Sequence, residues 1–235
     1  MTAIGRSAVP PRSSPSLRTF MSVPARPTSA TASAAWIACR CALVMIAFGR
    51  LYLKKRRAAG RALALKGGTT LIAAIPALYA ATSGGGSAAW WILAGILACA
   101  AADVLLEINF QGGMLAFVLG HVCLIAAFAS SGGIGAVHLI AWAGLALWAV
   151  FYVNRVAKES SEPRLPFLLY GVIISAMLAA ALTRGPLVLL GALLFAVSDS
   201  ILLWGLLKRK WKGLDTAVMV TYWGAQFLLG ISGLF

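Results

Sequence analysis

The sequence predicts an all-α, polytopic membrane protein: one helical bundle of about eight transmembrane helices with a weak internal repeat. Three observations predict it. Of 235 residues, 61% are hydrophobic and 11% charged, and the mean hydropathy is +0.90, whereas a soluble domain is about half apolar and a quarter charged. Runs of about 18 or more apolar residues, long enough to cross a bilayer as a helix, follow one another along the chain. They lack the period-2 alternation of a barrel strand. The third observation is the repeat. GILACAAADVLLE over 95–107 and GALLFAVSDSILL over 191–203 place Gly95 before Asp103 as Gly191 stands before Asp199, at equal spacing. Leu93, Leu97, Ala100 and Leu106 recur as Leu189, Leu193, Ala196 and Leu202.

The elements follow in order. Residues 1–32 hold Arg6, Arg12, Arg18 and Arg26 among Ser, Pro and Ala, with no acid. That composition cannot build a core and reads as a disordered basic tail ahead of a membrane domain over 33–235. The tail resembles a transit peptide in being Arg- and Ser-rich, and Met21 offers an alternative start. Span 1 is expected over 33–52; Arg50 can snorkel from its end, while Arg40 calls for a tilt or a shifted start. A basic loop with Lys54, Lys55, Arg56, Arg57 and Arg61 follows, then span 2 from Lys66 to Ala81. Spans 3 to 5 are expected over 88–106, 113–130 and 135–153, joined by short turns. A charged loop over 154–165 leads to span 6 over 166–182. A tight turn over 183–186 precedes span 7 over 187–207. The basic loop KRKWK (208–212) then leads to span 8 over 214–233.

The loops after spans 1, 5 and 7 carry nearly all the Lys and Arg, and those after spans 2, 4 and 6 carry only Arg184. Basic loops face the cytoplasm, so the chain is expected to be multi-pass in a bacterial inner (plasma) membrane with both ends outside. The four arginines of the tail oppose that orientation. The same rule accounts for most of the +14 net charge. No stretch combines basic residues with the exposed aromatics that base stacking needs, so nucleic acid is not an expected partner. Cys39, Cys41, Cys99 and Cys123 have no metal-ligand spacing, so no metal or other cofactor is expected; they read as buried apolar thiols.

Ionisable residues inside spans cost about 2.5–3.5 kcal/mol each and mark functional sites. Asp103 lies near the basic end of span 3, with Glu107 one turn beyond, and Asp199 lies about two turns from the basic end of span 7. Lys66, His121, Tyr170, Tyr222 and Gln226 fall in the same half of the bundle. Polar side chains from six spans thus converge on one level, as a pocket would require. Two carboxylates there can supply one acid and one base. Each group also has a plainer reading. Either aspartate can cap or pair with a neighbouring helix, and Lys66 can be an interfacial anchor. His121, Tyr222 and Gln226 can serve helix packing. His138, in the outer half, reads as structural. Trp90, Trp91, Trp204, Trp211 and Tyr152 fit an interfacial aromatic belt, and Gly112, Gly113 and Gly120 fit close helix packing.

The same residues resemble the lysoplasmalogenase, or YhhN-like, family of membrane proteins. Lys66 matches its Lys opening the second span, and Asp103-Val-Leu-Leu its third-span Asp, with Ala102 in place of the usual Gly. Phe110, Gly113, Phe117 and His121 match the run that follows, although the Tyr usual soon after that His is absent. Gly191, Ala192, Phe195, Ser198 and Asp199 match the second half, and Tyr222, Trp223 and Gln226 its closing motif, with Trp for a second Tyr. The match covers about residues 35–235. The resemblance implies hydrolysis of the vinyl ether bond of lysoplasmalogens, giving a fatty aldehyde and a glycerophospho-alcohol, on a lysophospholipid or related ether lipid. It implies Asp103 and Asp199 as catalytic groups, with Lys66, His121, Tyr170, Ser198, Tyr222 and Gln226 around the substrate. Two carboxyls could work as in glycosidases, one donating a proton and the other stabilising the cation and activating water. The rival class is a proton-coupled transporter using the paired aspartates; no Gly/Pro-broken span pair supports it. A purely structural membrane subunit is the third reading.

Overall fold

The computed structural model describes the backbone of residues 29–55, 59–130, 132–208 and 211–234, and the side chains of all but 29 and 59–62 of these. Eight α-helices account for it: α1 (Ser29–Lys55), α2 (Ala59–Thr82), α3 (Gly86–Ile108), α4 (Phe110–Ala129), α5 (Ala136–Val156), α6 (Arg164–Ala181), α7 (Pro186–Leu207) and α8 (Leu214–Ile231). There is no strand among the described residues. Each expected span coincides with a helix. The largest difference is α2, which begins at Ala59 rather than near Lys66, so Arg61 belongs to its first turns. Helix α1 begins at Ser29, within the stretch assigned to the tail; residues 1–28 lie outside the described residues, as do Arg56 and Arg57. Arg40 stacks over the Trp36 ring, 3.5 Å from its centroid.

Among the described residues seven helices are long and apolar enough to cross a membrane; α8 is not among them. The reason is its surroundings. Helix α8 packs on α7, α2 and α3, and Tyr222, Trp223 and Gln226 are among its buried residues. A helix shielded by its neighbours need not present apolar residues to lipid. Leu43, Ile75, Leu115, Ile140 and Leu147, in contrast, stand exposed on the outside of the bundle, as a hydrocarbon solvent requires.

Short local signals set the ends. Asn109 alone separates α3 from α4, and its Oδ1 accepts a hydrogen bond from the Gly112 amide at 3.0 Å, capping the new helix. Pro186 opens α7 at the position where a missing N–H costs nothing. Gly213, at φ +97° before α8, adopts the left-handed conformation that favours glycine. His138 Nδ1 accepts from the Gly135 amide at 3.1 Å and caps α5, the structural role expected of it. The close-packing reading holds for Gly113 and Gly120 but not for Gly112, where a Cβ would meet only the Asn109 side chain at 3.7 Å. A Cβ on Gly113 would stand 2.5 Å from the Leu106 backbone nitrogen, and one on Gly120 2.7 Å from Cys99 Sγ. These contacts bring α3 and α4 together along much of their length.

The main core lies among α2, α3, α4, α6, α7 and α8, with Ile96, Leu124, Phe128, Met177, Phe195 and Leu229 its largest fully buried apolar side chains. Helix α5 stands apart: of its 21 residues only Val153 and Val156 are buried.

Candidate functional site

The two aspartates sit at equivalent places in the repeat, and the fold supplies each with partners in the same way. Asp103, on α3, accepts from Thr70 on α2 at 2.6 Å and from Tyr222 on α8 at 3.0 Å. Asp199, on α7, accepts from Tyr170 on α6 at 2.9 Å and faces His121 Nε2 on α4 at 3.7 Å. Each carboxylate thus takes one partner from the helix before its own and one from the corresponding helix of the other half, α8 or α4. The repeat read in the sequence is a pseudo-symmetric pair of buried carboxylate nodes. They are joined by an aromatic wall: Phe117, Phe195 and Tyr222 meet edge to face at centroid distances of 5.5–6.3 Å, and His121 lies 4.6 Å from Phe195.

The nodes differ in access. Asp103 is 1% exposed and does not line the cavity that Asp199 borders. On its basic side stands Lys66, buried one turn before Thr70 on α2, with Nζ 3.5 Å from the outward-facing Glu107 carboxylate. Asp199 borders a cavity of about 280 Å³ among α4, α5, α6 and α7. The cavity wall is almost wholly aliphatic and aromatic. Its polar groups are Asp199, Tyr170, Tyr152, Ser175 and Ser200.

The proton inventory at Asp199 is constrained by geometry. His121 Nδ1 lies 2.7 Å from the Phe117 carbonyl. A carbonyl can only accept, so Nδ1 carries a hydrogen. In the neutral ring Nε2 is then a bare acceptor turned toward a carboxylate oxygen. Two acceptors facing each other in a dry site call for one proton on the pair, held by the carboxyl or by the imidazole. His121 is fully buried, and the pair meets the cavity through Asp199, which is 9% exposed.

The residues expected in one pocket therefore separate. The fold brings Asp199 and Tyr170 together in the cavity wall with His121 buried behind Asp199, and Lys66, Asp103 and Tyr222 together at the closed node. Ser198 is buried and donates to the Val218 carbonyl at 3.1 Å, tying α7 to α8. Gln226, fully buried one turn beyond Tyr222, has no hydrogen-bond partner on either amide atom among the described residues. Two residues were missed. Thr70 resembles the many span hydroxyls that bond back to their own helix, as Thr69 does to the Leu65 carbonyl; its position one turn after Lys66 was the available signal. Tyr152, expected in the interfacial belt, instead lines the cavity and donates to the Ser200 carbonyl at 2.7 Å. No group of three or more potential metal ligands occurs among the described residues.

A bundle of apolar helices with a carboxylate bordering an apolar cavity defines a multi-pass membrane protein with an ionisable group buried between its helices. The YhhN family model matches residues 61–233, and the chain belongs to that family. It is also 31% identical over 151 residues to human lysoplasmalogenase TMEM86B, a match that covers 61% of this chain and 63% of the relative, under two thirds of its length. No solved structure matches the chain.

Proposed function

We propose that the protein is a lysoplasmalogenase-like ether hydrolase, cleaving the vinyl ether bond of an alkenyl lysophospholipid to a fatty aldehyde and a glycerophospho-alcohol. The observation that carries this reading is Asp199 bordering an apolar cavity, with the buried His121 Nε2 facing its carboxylate at 3.7 Å. The family and the name of the human relative supply the substrate class.

The residues act as follows. The carboxyl of Asp199 delivers its proton to the vinyl carbon remote from oxygen, and the double-bond electrons form the new C–H bond. The product is an oxocarbenium ion beside the newly formed Asp199 carboxylate, which stabilises it at short range in a low-dielectric site. Water adds to the cationic carbon and returns a proton to Asp199. The hemiacetal then transfers its hydroxyl proton to the ether oxygen as the C–O bond breaks, releasing the alcohol and the aldehyde. Tyr170 holds the carboxylate oriented through its 2.9 Å hydrogen bond. His121 keeps the proton available between turnovers. Asp103 acts at one remove: it fixes Tyr222, which packs on Phe117 and Phe195 behind His121. Lys66, buried at the closed node and paired with Glu107, supports Asp103 rather than the cavity.

Purified protein in detergent should release aldehyde from an alkenyl lysophospholipid and leave its acyl counterpart intact; hydrolysis of the acyl lipid alone would count against the proposal. Tyr170→Phe should lower kcat about 10–100-fold, the loss of a hydrogen bond to a charged group worth about 1.5–3 kcal/mol. An unchanged kcat would remove Tyr170 from the site.

The site lies in the half of the bundle that bears the basic loops, and we place that half at the cytoplasmic side of the plasma membrane. In intact cells, with Cys39 replaced by Ser, a cysteine at Gly84 should react with an impermeant maleimide and one at Lys212 should not. The opposite pattern would invert the orientation.

A transporter working through the same aspartates is the alternative. It predicts discontinuous helices at the site, whereas α3 and α7, which carry Asp103 and Asp199, run unbroken over Gly86–Ile108 and Pro186–Leu207.

A further inference from the structure

The cavity at Asp199 is smaller than a lysophospholipid. Its volume, about 280 Å³, lies below the range of about 300–1,000 Å³ that encloses a drug-sized ligand, and a lipid with a head group and a long chain is larger than that. Part of the substrate must lie outside, and the lining shows where. Leu145, Trp148 and Tyr152 mark one stripe of α5, and Leu193, Val197 and Ser200 one stripe of α7. The two stripes face each other across the cavity, with α6 as its back wall. Trp148, Leu193 and Val197 line the cavity and are also 63, 42 and 45% exposed. The cavity therefore has an open side between α5 and α7, at a depth where a bilayer offers hydrocarbon.

Toward the basic end the same two helices are joined. Tyr152 on α5 donates to the carbonyl of Ser200, the residue next to Asp199. Val153, Val156, Phe167 and Leu207 form a small apolar cluster separate from the main core. Lys208, just past α7, pairs with Glu159, just past α5, at 3.1 Å. The α5–α7 seam is tied on the basic side of Asp199 and open on the other, while Phe110 and Leu206, 40 and 45% exposed, line the cavity at its basic end.

We infer that the substrate's alkyl chain leaves the cavity sideways through this seam into the bilayer, so that the protein reads the reacting bond and the first few carbons of the chain and not its full length. This rests on reading the cavity as the substrate site. Tyr152 is a positioning residue: it ties α5 to the turn of α7 that carries Asp199 and fixes the width of the seam beside the reacting bond. A closed pocket would behave differently, because each methylene added to or missing from an enclosed site changes kcat/KM by about 10–200-fold.

Two measurements test this. In mixed micelles at fixed surface concentration, kcat/KM for alkenyl lysophospholipids of increasing chain length should stay within about threefold, while a methyl branch beside the vinyl bond should lower it at least about tenfold. Tyr152→Phe should narrow that straight-to-branched ratio several-fold, which a merely structural role would not do. A sharp length cut-off would overturn the inference. The second measurement does not depend on turnover. A saturated ether lysophospholipid with a diazirine at mid-chain should label α5 and α7 near Trp148 and Val197, and Val197→Trp should suppress that labelling at an unchanged unfolding temperature. Labelling spread evenly over α1 and the other lipid-facing helices would overturn the inference. Seam labelling without aldehyde release from any alkenyl lipid would sink the hydrolase reading and leave the seam standing.

Discussion

Asp199→Asn is expected to lower kcat for aldehyde release by about 10²–10⁴-fold, the range that a positioned proton donor contributes. Asparagine keeps the size of the side chain, and its amide oxygen can still accept from Tyr170, so the 2.9 Å contact survives. What it cannot do is deliver a proton to carbon, or stand as an anion beside the oxocarbenium ion. The variant should therefore fold, reach the membrane and bind lipid while turning over very slowly. Its unfolding temperature in detergent separates this from a folding defect. Activity within a few-fold of the parent would show that Asp199 is not the donor, however well it sits at the cavity.

The second large effect is on stability. Asp103→Ala should destabilise the bundle by about 1–3 kcal/mol for each of the two hydroxyls, on Thr70 and Tyr222, left without an acceptor in a dry site. Lys66 would add to the cost, since it is 6% exposed and would keep only the distant Glu107 carboxylate. Asp103→Asn offers both hydroxyls an acceptor and should hold the fold. Because Asp103 does not line the cavity, its rate loss should be smaller than that of Asp199→Asn. Thermal unfolding and kcat, measured on the same preparations, decide the matter. Equal and large rate losses in two well-folded Asn variants would overturn this unequal assignment and restore an arrangement in which both carboxylates touch substrate.

The fold was legible because membrane solvent leaves few choices: an apolar run of sufficient length must be a helix, and seven of the eight were long and apolar enough to be read directly. Helix α8 shows the limit, since its polar residues reflect burial against α7, α2 and α3 rather than contact with lipid. Depth was legible too, because residue position along a span gives height at a fixed rise. Azimuth was not. Asp103 and Asp199 lie at similar heights and occupy equivalent repeat positions, so nothing in their spacing revealed that one faces a closed node and the other a cavity. That difference comes from α5, which stands away from the core and leaves the space that Asp199 borders. Ser198 was misleading for a related reason. Its place beside Asp199 in sequence puts it about 100° away around the helix, facing α8. Tyr152 lay near a span end, where an aromatic normally serves the interface, and only its register on α5 turns it inward.

The most direct test of the central claim is hydrolysis of an alkenyl lysophospholipid in D₂O, with the aldehyde trapped at once by reduction so that it cannot exchange. Proton delivery from Asp199, fixed on one side of the vinyl carbon, predicts a single deuterium of one configuration at C2 of the recovered fatty alcohol, formed about 10²–10⁴-fold more slowly when Asp199→Asn replaces the parent. Deuterium delivered to both faces of that carbon, or the same rate and labelling from the variant, would contradict the account.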